Sequence, residues 1–403
     1  IANNETKYFK TVLSFEPNTN EEFFIEAIGD QGGYASLDPW FNSAWTYRRK
    51  ITIDFTKVDT TNQTNFPVLI NSSPSFDDWR TIANGGKVSS ASGGFAFTDS
   101  DGVTQLDYEQ ESYTATTGNF VAWVEVPTLS ASVNTVIYVY YGGPSDGPTN
   151  QNKTGVWDSN FKGVWHFPDG TTLTALDSTS TGNNGTISGA TVSVGQVDGG
   201  SSYDGVNDSI DLGINGLGPD IGSAAGITLS GWLKMDTLPS AGGDETVLVG
   251  LMNGGQTAFG LTVTDSTGTK IRGSGRSQTT DGFQTKIGTA ALSAGVWYYI
   301  GAVLNISGDT ITTYLNGAQD ATAAVTFGAT AYTHTTAITF LDAFGAVNAS
   351  EFIDGVIDEG RLSNIARSAN WIKTEYNNQS SPGTFYTVGI QEVNGDDGSI
   401  DIF

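Results

Sequence analysis

The chain has 403 residues, with 51 Gly, no Cys and only 15% charged residues, a length that suggests two or three domains, each large enough to bury its own core. Its 18 Lys and Arg against 43 Asp and Glu leave a net charge of −25, which sets aside nucleic acid and anionic membrane as partners, because phosphate binding needs clustered cations. Without Cys there is no disulfide, thiolate metal site or cysteine nucleophile, and no apolar run approaches the roughly 18 residues of a membrane span.

The first residue is Ile rather than Met, which suggests export with a leader removed. Residues 1–42 form an N-terminal segment with two apolar strand candidates, Tyr8–Phe15 and Glu22–Ile28. Two strands are too few for an independent core. They either add to the first domain of their own chain or complete a neighbouring copy's sheet by strand addition. In the second case Tyr8, Val12 and Phe15 are the bulky anchors, the partner is another copy of the chain, and repetition of the contact builds a homopolymer.

From residue 43 to about 148 the chain alternates with period two, clearest in YRRKITI, in Phe120–Val126 and in Val136–Tyr141, so this domain reads as an antiparallel β-sandwich. The segments WTYRRKITID, NFPVLI, FTDSDG, LDYE, VAWVEVPTLS and IYVYYGG resemble, in order, a domain of unknown function common in exported bacterial and archaeal proteins. The resemblance implies no known activity. Gly142–Thr154 reads as a linker by composition.

Residues 155–392 carry the segments VWHFPDG, GGSSYDGVNDSIDL, GWLK, VWYYIGAV and FIDGVIDEGRL, which resemble a laminin-G-like, concanavalin A-like jelly roll. Asn316-Gly317 is a hairpin signal in its own right. A helix is expected over residues 363–378, capped by Ser368 and stopped by Asn377-Asn378 and Pro382. The resemblance implies that Gly383–Ile390 is the last strand of the jelly roll. Residues 393–403 form an acidic tail. The fold class is therefore all-β, a sandwich followed by a jelly roll, with one short helix.

The acidic set Asp204, Asn207, Asp208, Asp354, Asp358 and Glu359 is the metal candidate, because calcium takes six to eight oxygens and loops at the ends of a jelly roll can supply them. A structural Ca2+ is the expected cofactor, and the competing reading is that these groups only cap turns and accept backbone N–H bonds. Asp99–Val103 reads as a turn. Glu109 and Glu111 have the same-face spacing of a glycoside hydrolase pair, but they lie in the first domain, at positions that look structural in the family it resembles, so catalysis is not expected. His166 and His334 lack partners at triad or zinc spacing.

Trp232, Trp297, Tyr298 and Tyr299 sit in alternating strands and are expected in the core. Loops 236–245, 272–286 and 328–336 are the better places for a glycan. The functional expectation is a non-catalytic extracellular structural protein, a fibre or coat subunit assembling by strand addition. The alternative is a secreted or anchored glycan-binding adhesin module, and a glycoside hydrolase is the weakest reading.

Overall fold

Short alternating segments separated by Gly, Asn, Asp and Pro turns become strands, because each can bury one face and hand the backbone to a neighbour. The computed structural model describes residues 39–72, 75–144, 151–168, 172–212, 221, 224–240, 244–252, 256–265, 268–276, 282–328, 338–341 and 352–394. The first sandwich is built from β1 (Tyr47–Ile53), β2 (Gln63–Asn71), β3 (Ala96–Asp99), β4 (Gln105–Leu106), β5 (Tyr108–Thr114), β6 (Asn119–Leu129) and β7 (Thr135–Tyr141). The jelly roll begins with β8 (Phe161–Trp165), β9 (Thr186–Ser188), β10 (Thr191–Val194), β11 (Gly199–Asp204), β12 (Ser209–Asp211), β13 (Gly226–Met235), β14 (Asp244–Met252) and β15 (Gln256–Thr264). It continues through β16 (Lys270–Gly275), β17 (Gln284–Ile287), β18 (Trp297–Asn305), β19 (Thr310–Leu315), β20 (Ala318–Ala324), β21 (Ile338–Leu341) and β22 (Asp354–Ser363). Two helices follow, α1 (Ala369–Ser380) and α2 (Pro382–Phe385), and then β23 (Tyr386–Val393).

The sheets run β23-β1-β7-β3-β4 and β2-β6-β5 in the sandwich, and β10-β11-β22-β13-β18-β19-β20 and β17-β16-β15-β14-β21-β12-β9 in the jelly roll, with β8 also paired to β22. The final strand is a correction to the sequence reading. It pairs antiparallel with β1, Tyr386 opposite Ile53 and Val393 opposite Tyr47, so the end of the chain returns to the first sandwich instead of closing the jelly roll. The Asn316-Gly317 hairpin forms as expected, with both residues at positive φ, 50° and 73°, the geometry of a type I′ turn.

Helix α1 makes that return possible. The Ser368 hydroxyl accepts from Trp371 N at 3.1 Å, a cap worth about 1 kcal/mol. The helix runs past the expected stop at Asn377-Asn378 because Asn378 and Gln379 are used inward. Asn378 accepts from Leu69 N at 2.6 Å and donates to Leu69 O at 3.1 Å, so its amide satisfies the edge of β2 as a neighbouring strand would. Gln379 accepts from Trp232 Nε1 at 2.7 Å. Trp232 and Tyr299 are buried against the helix, as the alternating pattern suggests, while Trp297 and Tyr298 are only half-buried.

The expected linker is also used. Gln110 N donates to Gln151 Oε1 at 2.8 Å and Asn152 N donates to Tyr108 O at 3.1 Å, which covers the edge of β5. One hydrophobic core accordingly takes in both sandwich residues such as Val68, Phe97 and Trp123, helix residues Trp371 and Ile372, and Trp232, Tyr299 and Val303 from the jelly roll. A second core, including Leu229, Leu233, Leu261, Ile300 and Ile357, fills the space between the jelly-roll sheets. Residues from Trp40 onward form one compact unit. Among the described residues no helix is long and apolar enough to cross a membrane.

Candidate functional site

Two β-bulges prepare the site. Between the pairs Gln110–Ala122 and Ser112–Val121, Glu111 is an extra residue in β5. Between Ser230–Arg361 and Trp232–Asp358, β22 uses two residues, Glu359 and Gly360, where β13 uses one. Glu359 takes φ 52° there, a left-handed conformation that costs a non-glycine residue about 1 kcal/mol or more. Bulges re-aim side chains, and these two send Glu111 and Glu359 toward each other from different sandwiches. Strand β11 pairs with residues 354–357 of β22 and β8 with residues 360–363, so Asp358 and Glu359 lie in the gap between two partner strands.

His166, immediately after β8, fills that gap. Its Nδ1 is 2.7 Å from Glu359 Oε1 and 3.7 Å from Glu111 Oε2, and its Nε2 is 3.4 Å from Glu109 Oε2. The imidazole stacks on Trp123 at 5.4 Å and contacts Trp157 at the same distance. Arg361 lies over both indoles, 4.5 and 5.0 Å from their centroids. It donates to Glu359 Oε2 at 2.8 Å and to Glu375 of α1. Tyr299 OH also donates to Glu375, at 2.7 Å.

The two carboxylates of β5 are in opposite electrostatic states. Burial alone raises Glu109, but His166, Lys153 and the Ser178 hydroxyl outweigh it and hold the carboxyl down to about 2. Glu109 accepts from Ser178 Oγ at 2.7 Å and from Trp157 Nε1 at 2.9 Å, so it is a bonded anion. Burial raises Glu111 well above the carboxylate range, and the charge of Glu359 adds to it. Glu111 Oε2 accepts from Trp123 Nε1 at 2.8 Å. Burial lowers His166, yet Glu359, Glu109 and Glu111 together lift it well above the imidazole range. Beside them is a cavity of about 110 Å³ whose lining includes Glu109, Glu111, Lys153, His166 and Ser178.

The six residues of the expected metal set fall into two places. Asp204 accepts from Val206 N and Asn207 N, and Asp208 accepts from Asp204 N, in a turn beside Asp354, which pairs with Asp204 across β11 and β22. Asp358 lies farther along β22, fully buried, and accepts from Gln196 N and Val197 N at 2.8 and 2.9 Å. Glu359 belongs to the His166 cluster. The Asp99–Val103 turn is a turn, with Asp101 accepting from Val103 N and Thr104 N. Tyr8, Val12, Phe15 and His334 lie outside the described residues.

His166 is the residue that spacing rules miss. Its carboxylate neighbours come from positions 109, 111 and 359, so no local motif marks it. The signal present in the sequence was the Glu109–Glu111 alternation, and its partner was 55 residues away.

Residues 93–181 match the model of a domain of unknown function (DUF2341). Residues 204–373 match the Laminin_G_3 model of the concanavalin A-like lectin/glucanases superfamily. The chain thus carries that domain of unknown function followed by a concanavalin A-like jelly roll, the order read from its segments. Among solved structures it is similar to the binding domain of Paraclostridial Mosquitocidal Protein 1, at 14% identity and a TM-score of 0.42 over 54% of this chain and 52% of that one. It is similar to domain 4 of AbnA, a GH43 extracellular arabinanase from Geobacillus stearothermophilus, in complex with arabinotriose, at 16% identity and a TM-score of 0.39 over 54% and 98%. The binding domain of botulinum neurotoxin serotype D/C matches at 13% identity and a TM-score of 0.41 over 55% and 52%. The chain spans about half the length of the first and third of these structures. No curated protein matches the chain.

Proposed function

We propose that the protein is a non-catalytic, extracellular glycan-binding module. The observation that carries this reading is the state of the paired carboxylates in a chain whose jelly roll matches a lectin and glucanase superfamily. Both Glu109 oxygens are bonded, Glu111 is held by Trp123, and the adjoining cavity is about 110 Å³, against roughly 300–1,000 Å³ for a small-molecule site. A sugar chain has no place to be cleaved between them. For binding, the β16–β17 connection offers an exposed ring, Phe283, with the Arg276 guanidinium 5.0 Å from its centroid. The guanidinium lies over one face of the ring, and the ring surface that stays exposed, next to these hydrogen-bond donors, suits a sugar.

A glycan array and a hydrolysis panel on the full chain test this together. The expected result is binding to at least one glycan class, weakened at least tenfold by Phe283→Ala, with hydrolysis at background. Turnover abolished by Glu109→Gln would overturn it.

One observation favours a second reading, the fibre subunit. Among the described residues strand β23 ends the five-stranded sheet, and Ile390 on it is 83% exposed, an edge able to accept an added strand. If residues 1–20 of one copy supply that strand through Tyr8, Val12 and Phe15, deleting them leaves a folded monomer that forms no filaments under the electron microscope. Filaments from the truncated chain would rule this route out.

A further inference from the structure

Among the described residues, one group of possible metal ligands contains a buried polar atom without a hydrogen-bond partner. One ligand atom from each of Glu111, His166 and Glu359 lies within 4.8 Å of the others. Glu111 Oε1 is buried and makes no hydrogen bond, and the Glu111 side chain is 0% and the His166 side chain 4% exposed. Leaving such a group unpaired destabilises the fold, more so when it is charged. Each of the three residues is also gripped from outside: Glu111 by Trp123 Nε1, Glu359 by Arg361, and His166 by Glu109 facing its Nε2 at 3.4 Å. A carboxylate on the far nitrogen of a histidine, with hydrogen bonds to the carboxylate ligands, is the outer support that metal ligands need.

We propose that Glu111, His166 and Glu359 bind one divalent transition-metal ion of the zinc class, and that this ion ties the first sandwich to the jelly roll. The distances fit. Bonds of about 2.1 Å in a tetrahedral site place donors roughly 3.4 Å apart, and His166 Nδ1 stands 2.7 and 3.7 Å from the oxygens of Glu359 and Glu111. On binding, the ion replaces the hydrogen bond between Nδ1 and Glu359 Oε1, and the Nδ1 proton and the proton of the Glu111 carboxyl both leave to solvent. One nitrogen and few oxygens suit zinc, and calcium prefers six to eight oxygens. The cavity that reaches Glu111 and His166 gives the ion its approach and leaves room for a water as fourth ligand.

The test uses the full chain, stripped with chelator and titrated with Zn2+ by calorimetry and with Co2+ by visible absorption. Wild type is expected to take up one equivalent, to show the strong visible bands of low-coordinate Co2+, and to melt higher with Zn2+ than with chelator. Glu111→Gln is expected to bind at least tenfold more weakly, and Asp204→Asn, in the separate acidic turn, to bind as wild type does. No uptake, unchanged binding by Glu111→Gln, or loss of binding in Asp204→Asn overturns the proposal. If Glu111→Gln does not fold, the wild-type Co2+ spectrum and melting shift decide alone: no bands or no shift overturns it.

Discussion

Glu125 is paired with Pro67 across β2 and β6, and its surroundings are acidic. Burial, and then the charges of Asp107 and Asp158, raise its carboxyl from 4.5 to about 6. A group whose folded-state value is raised favours the folded chain while protonated and disfavours it once ionised. The stability is therefore intact below about 4.5 and is lost as pH rises through about 6. Glu125→Gln should match wild type in urea unfolding at pH 4 and exceed it at pH 7.5 by about 1 kcal/mol, a figure reduced from the full linkage value because the group is half-exposed. The opposite order at pH 7.5 would mean that Glu125 has a cationic partner. Asp158 shows what such a partner does. Its neighbour Arg367 donates two bonds to it, at 2.8 and 2.9 Å, and stacks between Phe161 and Trp371 at 4.3 and 4.2 Å. That pair outweighs burial and holds Asp158 below the ordinary carboxylate range.

Among the elements, those with local causes were legible in the sequence. Alternation marked β1, β6 and β7, Asn316-Gly317 marked the β19–β20 turn, and Ser368 marked the start of α1. What the sequence hid depends on distant partners. Nothing in GTFYTVGI says that its strand begins only at Tyr386 or that it joins β1 rather than the jelly roll, because an edge strand with half-exposed residues suits either sandwich. The end of α1 was misplaced because Asn377-Asn378 look like a stop signal, whereas Asn378, like Gln379 after it, bonds a group more than a hundred residues away. The bulges at Glu111 and Glu359 were hidden for the same reason, since a bulge is a property of two strands in register. The site was therefore half-visible: Glu109, Glu111 and Glu359 were weighed separately, and His166, which joins them, was set aside because no partner stands at triad or zinc spacing in the sequence.

Over the whole molecule, the two sandwiches share too much to act separately. The chain leaves the first sandwich at β7, builds the jelly roll, and returns through α1 to add β23 beside β1. The His166 cluster, the Asn378 clamp and one hydrophobic core all cross the same boundary. Breaking a buried ion pair such as that of His166 with Glu109 of β5 costs about 3–5 kcal/mol, which is a sizeable share of the 5–15 kcal/mol that holds a typical domain folded. A junction of this kind couples the melting of both halves. Scanning calorimetry of the full chain, compared with a chain ending at Phe385, tests that coupling most directly. One cooperative transition is expected for the two sandwiches, with calorimetric and van't Hoff enthalpies in agreement, and a lower midpoint for that whole transition once β23 is removed. Two resolved transitions, or a truncated chain whose jelly roll melts where it did before, would contradict it.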